Sequence, residues 1–247
     1  MSVIAHSPDH QRLIRQLDAI SVLGAEDRDV LATLPLNIRS ITENSDIVSR
    51  GDRPSSCCLI LEGFTCRYNI LASGQRQIFS FHVPGDIPDL QSLHIEVMDH
   101  SLGALTPCRV AFIPHAAIDE LLRTRPRIAR AFWRETLIDA AIFREWLASV
   151  GRRTAYQSVA HLICEIYVQL LAVGLAGGLN FELPITQEEL GDALGLSAVH
   201  INRVLQELKV ARVIASNRRQ IVIIDWERLK AAGDFDPGYL HLRHDEL

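Results

Sequence analysis

Residues 186–208 read TQEELGDALGLSAVHINRVLQEL, and their reading decides the architecture. Thr186 precedes an apolar periodic run and Glu189 follows three residues later. In that pattern hydroxyl and carboxylate each satisfy an unpaired backbone N–H at a helix start. Leu190, Ala193 and Leu194 form the buried face of this helix. Gly195 suits a turn that needs a positive φ. Ser197 caps a second helix, in which Ile201, Val204, Leu205 and Leu208 fall at i, i+3, i+4 and i+7 and bury one side. Ala198, Val199, Asn202, Arg203 and Gln206 take the other side. Two short helices across a glycine turn make a helix-turn-helix, whose second helix fits a DNA major groove.

The next residues, RVIASNRRQIVIID (212–225), alternate as two strands with Asn217, Arg218 and Arg219 at the tip. A basic hairpin after a helix-turn-helix is a wing aimed at phosphates. Thr186, Gln187 and Ser197 are expected to touch phosphate together with Arg218 and Arg219. Val199, His200, Asn202 and Arg203 are expected to face the bases.

Upstream, the 247-residue chain is 48% hydrophobic with a net charge of −5. That excludes a largely disordered chain and a basic coat over the whole surface. It leaves room for a local basic patch, since phosphate attraction fades beyond about 10 Å. No apolar run reaches the ~20 residues of a membrane span, and the first residues lack a secretory pattern; a cytoplasmic protein is expected. The five cysteines, Cys57, Cys58, Cys66, Cys108 and Cys164, are scattered, which points to reduced, buried thiols. A lone redox-sensing thiol needs no partner in sequence and is compatible with this spacing.

Residues 8–40 read as short helices, with Leu13, Ile14, Leu17 and Ile20 in helical rhythm. From about 41 to 113 the texture changes. Gly51, Gly63, Gly74 and Gly85 separate the runs CCLILE, FTCRYNIL and RQIFSFHV, with RVAFI later. Turn signals at this spacing indicate an antiparallel roll, and SGQ at 73–75 marks a hairpin tip. Pro126 fits the first turn of a long helix over 126–150. Along it Trp133, Thr136, Ala140, Phe143, Leu147 and Val150 follow 3–4 spacing, as in a coiled-coil seam. We read this stripe as a dimer seam, because Leu137, Ile138 and Trp146 on the other side can cover the roll. The predicted fold is α+β. Helices and β-roll occupy residues 1–125, a dimerisation helix 126–151 and a winged helix-turn-helix 152–247.

Roll, long helix and winged helix-turn-helix, in that order, resemble the Crp/Fnr family of bacterial transcription regulators. The resemblance runs from about residue 20 to 225. It rests on the four-glycine roll, GDIPDLQSL at 85–93, and the stretch quoted first. It implies an effector-sensing roll, a parallel homodimer and two recognition helices on a near-palindromic operator. Half-sites would lie about 34 Å apart, one turn of DNA.

The sequence departs from the family in three places. Cyclic-AMP-binding members carry a glutamate for the ribose and an Arg-Ser pair for the phosphate after the GD turn. Here Asp89 stands near the glutamate's place, Met98 or Asp99 takes the arginine's, and no arginine or lysine occurs between Arg76 and Arg109. Cyclic AMP in the usual mode would lack its bidentate partner. Iron–sulfur sensing needs N-terminal cysteines, and none precedes Cys57. Haem would need an axial ligand from His82, His94 or His100; histidines in a roll are more often structural. No cofactor is therefore expected. Phe79, Phe81, His82, Asp89, Leu90, Phe143 and Trp146 are candidate lining of an effector pocket. In the recognition helix relatives often carry a glutamate four residues before an arginine. Arg203 keeps the arginine, suited to guanine, while Val199 replaces the glutamate and suits a thymine methyl.

The function expected is sequence-specific DNA binding by a homodimer under control of an unidentified signal at the roll, with RNA polymerase as a partner if it activates. The alternative from another class is an interaction module built on the same roll that does not bind DNA. No membrane partner and no metal site are expected. No Asp, His and Cys spacing assembles a catalytic nucleophile and base, so no enzyme is expected.

Overall fold

A computed structural model describes residues 7–243. The N-terminal helix α1 (Pro8–Ile20) starts at Ser7, whose hydroxyl accepts from the His10 N–H, and buries Leu13, Ile14, Leu17 and Ile20. Helix α2 (Ala25–Leu31) follows. The chain then turns extended earlier than the sequence predicts. Asn37–Ile41 is strand β1, not helix, because it pairs antiparallel with a later strand along its whole length. Five residues are too few for their alternation to stand out from a helical pattern.

The roll continues through β2 (Asp46–Val48), β3 (Ser56–Glu62), β4 (Thr65–Ile70), β5 (Arg76–His82), β6 (Ser101–Ala104) and β7 (Cys108–Pro114). One sheet has the order β1-β7-β3, the other β2-β6-β4-β5. The glycines at 51, 63, 74 and 85 all take positive φ, as their turn positions predict. In the 73–75 turn Leu71 N donates to Gln75 O and Gly74 N to Leu71 O. The middle of β3, Cys57–Leu61, is inaccessible to solvent on both faces. One core cluster joins Val48, Cys58, Ile60, Met98, Leu102, Ala104, Cys108 and Val110.

Helix α3 (His115–Thr124) leads into α4 (Pro126–Gly151). Its covered side carries Ile128, Ala131, Phe132, Ile138, Ala141 and Trp146. Its other side is open: Trp133 is 69% exposed, Leu147 73%, and Phe143 and Val150 are also exposed. Leu137, which the sequence places with Ile138 and Trp146, lies on the open side at 57% exposure. One turn beyond Trp133, it follows the helical i, i+4 neighbourhood rather than the covered stripe.

The remaining elements are α5 (Ala155–Ala172), β8 (Asn180–Glu182), α6 (Gln187–Leu194), α7 (Ala198–Val210), β9 (Ile214–Asn217), β10 (Gln220–Ile223) and α8 (Trp226–Gly233). The strands form a sheet of order β8-β10-β9. Close packing divides the chain into two units, one running to Arg67 and again over Phe81–Asp139, the other comprising Tyr68–Ser80 and Ala140 onward.

Each unit buries titratable groups. In the first, Arg67 Nε donates to Pro88 O and Nη1 to Asp139 Oδ2, both at 2.6 Å. Burial, reinforced by the charges of Asp86 and Asp139 and opposed by Arg67, raises the Glu135 carboxyl to about 8. In the second unit burial raises Glu165 to about 7, against hydrogen bonds from Tyr239 and Trp146. Trp146 Nε1 donates to Glu165 Oε1 at 2.8 Å. Tyr239 Oη lies 2.6 Å from Glu165 Oε2 and 3.0 Å from His161 Nε2. His161 Nδ1 meets Gly233 O at 3.0 Å, and burial lowers the pKa of this ring. The Tyr239 hydroxyl donates to Glu165 Oε2, so this carboxyl accepts from both Tyr239 and Trp146.

Both carboxyls bind their protons more tightly folded than unfolded. Their contribution to stability is full below the unfolded carboxyl value of about 4.3 and is lost as pH rises through about 7 for Glu165 and about 8 for Glu135. Melting temperatures measured between pH 5.5 and 8.5 are expected to fall with pH. Each group contributes at most about 1.4 kcal/mol per pH unit to that slope. Glu135→Gln is expected to flatten its alkaline part.

Candidate nucleic-acid interface

The helix-turn-helix has the geometry its sequence specifies. Thr186 Oγ1 accepts from Glu189 N at 3.2 Å while Glu189 Oε2 accepts from Thr186 N at 2.7 Å. The hydroxyl also donates to that carboxylate at 2.9 Å, so Thr186 has its proton engaged. Gly195 ends α6 with φ 67°. Gly191, whose role the sequence does not disclose, is where the two helices are brought close. A Cβ there would collide with the Leu196 carbonyl oxygen, while Leu196 N donates to Gly191 O at 3.1 Å. Ser197 Oγ accepts from His200 N at 3.2 Å and starts α7.

On α7 Ile201, Val204 and Leu208 are buried and Leu205 is half-buried. Ala198, Val199, Asn202, Arg203 and Gln206 are exposed and His200 is half-buried. Val199 reaches 81% exposure, a large aliphatic surface at the first turn of the helix. Arg203 Nε stands 3.9 Å from Glu207 Oε1 on the surface, a contact worth little in water. Asn202 Nδ2 donates to Gln187 Oε1 at 3.1 Å, joining a residue expected to face the bases with one expected to touch phosphate.

The wing is β9 and β10, with Gln220 paired to Asn217 and the exposed Arg218 and Arg219 between them. Arg218 takes a left-handed backbone, φ 53°. Leu183 N donates to Arg219 O at 2.7 Å, which anchors the far side of the tip. The third strand, β8, pairs with β10 at Phe181↔Ile221; three residues after a glycine loop leave little sequence signal. At the other end of α6, Arg76 Nε donates to Asp192 Oδ2 at 2.7 Å and Gln77 Nε2 to Ala193 O at 3.3 Å. No local pattern discloses such a pairing between residues 116 apart.

Several of the candidate pocket residues are engaged within the protein. Asp89 is 1% exposed, and its Oδ1 accepts from Cys58 N at 2.7 Å. Burial raises its carboxyl to about 6, against that hydrogen bond. Met98, one of the two residues expected at the place of the relatives' phosphate arginine, packs into the roll core. Phe81 is buried, and His82 is buried with Nδ1 3.3 Å from Asp86 Oδ2. Leu90 and Phe79 are half-buried. Trp146 is committed to Glu165, and Phe143 opens to solvent. His100 Nδ1 lies 2.6 Å from Asp99 Oδ1, and His94 is exposed. None of the five cysteines is in a disulfide, and all five are buried. Burial raises Cys57, Cys58, Cys108 and Cys164, which works against thiolate formation. Among the described residues no group of three or more His, Cys, Asp and Glu could hold a metal ion.

With this geometry established, two domain families match the chain: the cyclic nucleotide-binding domain over residues 38–125 and the Crp-like helix-turn-helix domain over 157–232. The transcriptional activator protein FnrL of Cereibacter sphaeroides is 28% identical over 224 residues, covering 87% of this chain and 88% of that protein. The nitrogen fixation regulation protein FixK of Bradyrhizobium diazoefficiens is 28% identical over 187 residues, 75% of this chain and 77% of that protein. Among solved structures, FixK2 from Bradyrhizobium japonicum superposes with a TM-score of 0.73 at 24% identity, covering 81% of this chain and 98% of its own. Replacing Gly191 by alanine is expected to force α6 and α7 apart. A thermal melt is expected to show a loss of about 1–3 kcal/mol, within the usual range for overpacking.

Proposed function

Because the chain belongs to the Crp/Fnr family of transcription regulators, we propose that it acts as a homodimer on a near-palindromic DNA operator, with α7 of each protomer in a major groove. The observation that carries this reading is the outward side of α7. A capped helix presents Val199, Asn202 and Arg203 to solvent, with Arg218 and Arg219 exposed on the adjoining wing. Phosphate attraction comes from the wing arginines and from the N-termini of α6 and α7, where Thr186, Gln187 and Ser197 lie. Arg203 reads guanine and Val199 meets a thymine methyl, which gives an operator unlike that of relatives with glutamate at this position.

The second protomer covers the open side of α4. Trp133, Leu137, Phe143, Leu147 and Val150 form an apolar stripe of the kind that seeks a partner helix. Thr136 lies on the same side, with its hydroxyl donating to Phe132 O, beside the half-buried Ala140. The roll works without cyclic AMP in the usual mode, haem or an iron–sulfur cluster. Asp89 is occupied by Cys58, Met98 fills the core, and no cysteine precedes Cys57. Its signal reaches DNA binding rather than catalysis, and RNA polymerase is the further partner where the protein activates. No helix among the described residues is long and apolar enough to cross a membrane, and a cytoplasmic site of action fits this reading.

Binding to duplex DNA at a series of salt concentrations tests the reading. A steep linear fall of log affinity with log salt is expected, and a flat response overturns it in favour of a protein-interaction module. Arg203→Ala is expected to cost about 1–3 kcal/mol at one base pair, whereas Arg219→Ala weakens all sequences alike and lowers the salt slope by about 1. Leu147→Glu is expected to turn the sedimenting dimer into a monomer and to weaken operator binding with it.

A further inference from the structure

The bond from Asn202 Nδ2 to Gln187 Oε1, 3.1 Å long, ties the outward side of α7 to the first residue of α6. We infer that Asn202 reads an adenine in each half-site and that Gln187 is the positioning residue that makes this choice; the inference rests on the DNA-binding reading above. A primary amide offers two hydrogens and one carbonyl oxygen. Gln187 occupies one hydrogen, and Asn202 is otherwise exposed. What faces outward is therefore one acceptor beside one donor.

In the major groove that pair matches adenine, which shows the N6 amino donor beside the N7 acceptor. Guanine shows two acceptors, N7 and O6, and would set one of them against the Asn202 oxygen. Thymine shows one acceptor and a methyl, cytosine one donor. An asparagine free to rotate could turn its amide over and offer both hydrogens to guanine. With the Gln187 amide held so that its oxygen faces Asn202, as in this bond, that turn would set two carbonyl oxygens against each other with no proton between them. The glutamine thus converts an ambiguous reader into a directional one.

Gln187 also has a second connection. It is the first residue of α6, where backbone N–H groups lack intrahelical partners, and its own Nε2 remains a donor. A phosphate held at that helix start would fix the glutamine, and through it the asparagine. Backbone anchoring and base choice become one linked contact. On the same face Val199 lies one turn earlier and Arg203 one residue later, so the three side chains address neighbouring base pairs.

The test uses the full chain. Duplexes are enriched from a random pool, and in the best half-site each adenine is replaced in turn by 7-deazaadenine, which lacks N7. One adenine per half-site is expected to be sensitive, its replacement weakening binding roughly 5- to 100-fold. Asn202→Ala is expected to remove that sensitivity. Gln187→Ala is expected to weaken binding to all sequences through its place at the phosphate contact, and to bring guanine to within a few-fold of adenine at the same position. Guanine chosen there by the unaltered protein, or no adenine sensitive to the change, overturns the assignment and leaves the DNA-binding reading standing. A pool that enriches no sequence, with no salt-dependent binding, overturns both. Should either variant melt at a lower temperature, the 7-deazaadenine scan on the unaltered protein decides alone.

Discussion

The second unit depends on one buried carboxyl. Glu165 receives the indole N–H of Trp146 from the long helix and meets Tyr239 from the turn after α8. One residue of α5 thereby holds both the helix that enters the unit and the chain end that leaves it. An ionised carboxylate in this apolar setting would be costly, and the raised value of about 7 records that cost. The aromatic rings around it, with His161 against Phe235 and Tyr239 and with Trp226 against Tyr167 and Phe235, shield the chain of hydrogen bonds from water. A winged helix-turn-helix has only short helices of its own. Its rigidity is borrowed from α5, and α5 is secured where Glu165 sits.

The first unit solves a related problem differently. Arg67 is buried and reaches the Pro88 carbonyl on one side and Asp139 of α4 on the other. The segment after the GD turn, which in cyclic-nucleotide-binding relatives meets a phosphate, is here fastened through its own backbone and through Asp89 to β3. The link between that segment and the long helix is made by protein groups. Solvent-excluded charge needs such pairing to be tolerated at all.

Much of this was legible in the sequence because it is local. The capping box at Thr186, the turn at Gly195, the cap at Ser197 and the four roll glycines each follow from the conformational needs of a few adjacent residues. The stripe from Trp133 to Val150 was readable because helical period survives over many turns. Leu137 was misassigned because a stripe's edge depends on the curvature and neighbours of the helix, which periodicity does not carry. β1 and β8 were missed as strands because three to five residues hold too little period to outweigh their surroundings. The ties between distant residues, Arg67 with Asp139, Arg76 with Asp192 and Trp146 with Glu165, could not be read at all. Each joins common polar residues whose partners are set only when the chain closes. The same limit applied within the site, where Gln187 and Asn202 are 15 residues apart and met only through the angle between two helices.

That angle is set by an absence. At Gly191 the missing methyl is the space into which the Leu196 carbonyl fits, and the contact lies on the inner side of the motif. Nothing on the outer side of α7 participates in it. The outward residues Val199 and Arg203, proposed to choose a DNA sequence, can therefore be exchanged without touching this contact. At position 191, by contrast, a side chain would force the two helices apart. On the proposed reading specificity is separable from architecture: a lineage could rewrite Val199 or Arg203 and acquire new target sites while the contact at Gly191 stays intact.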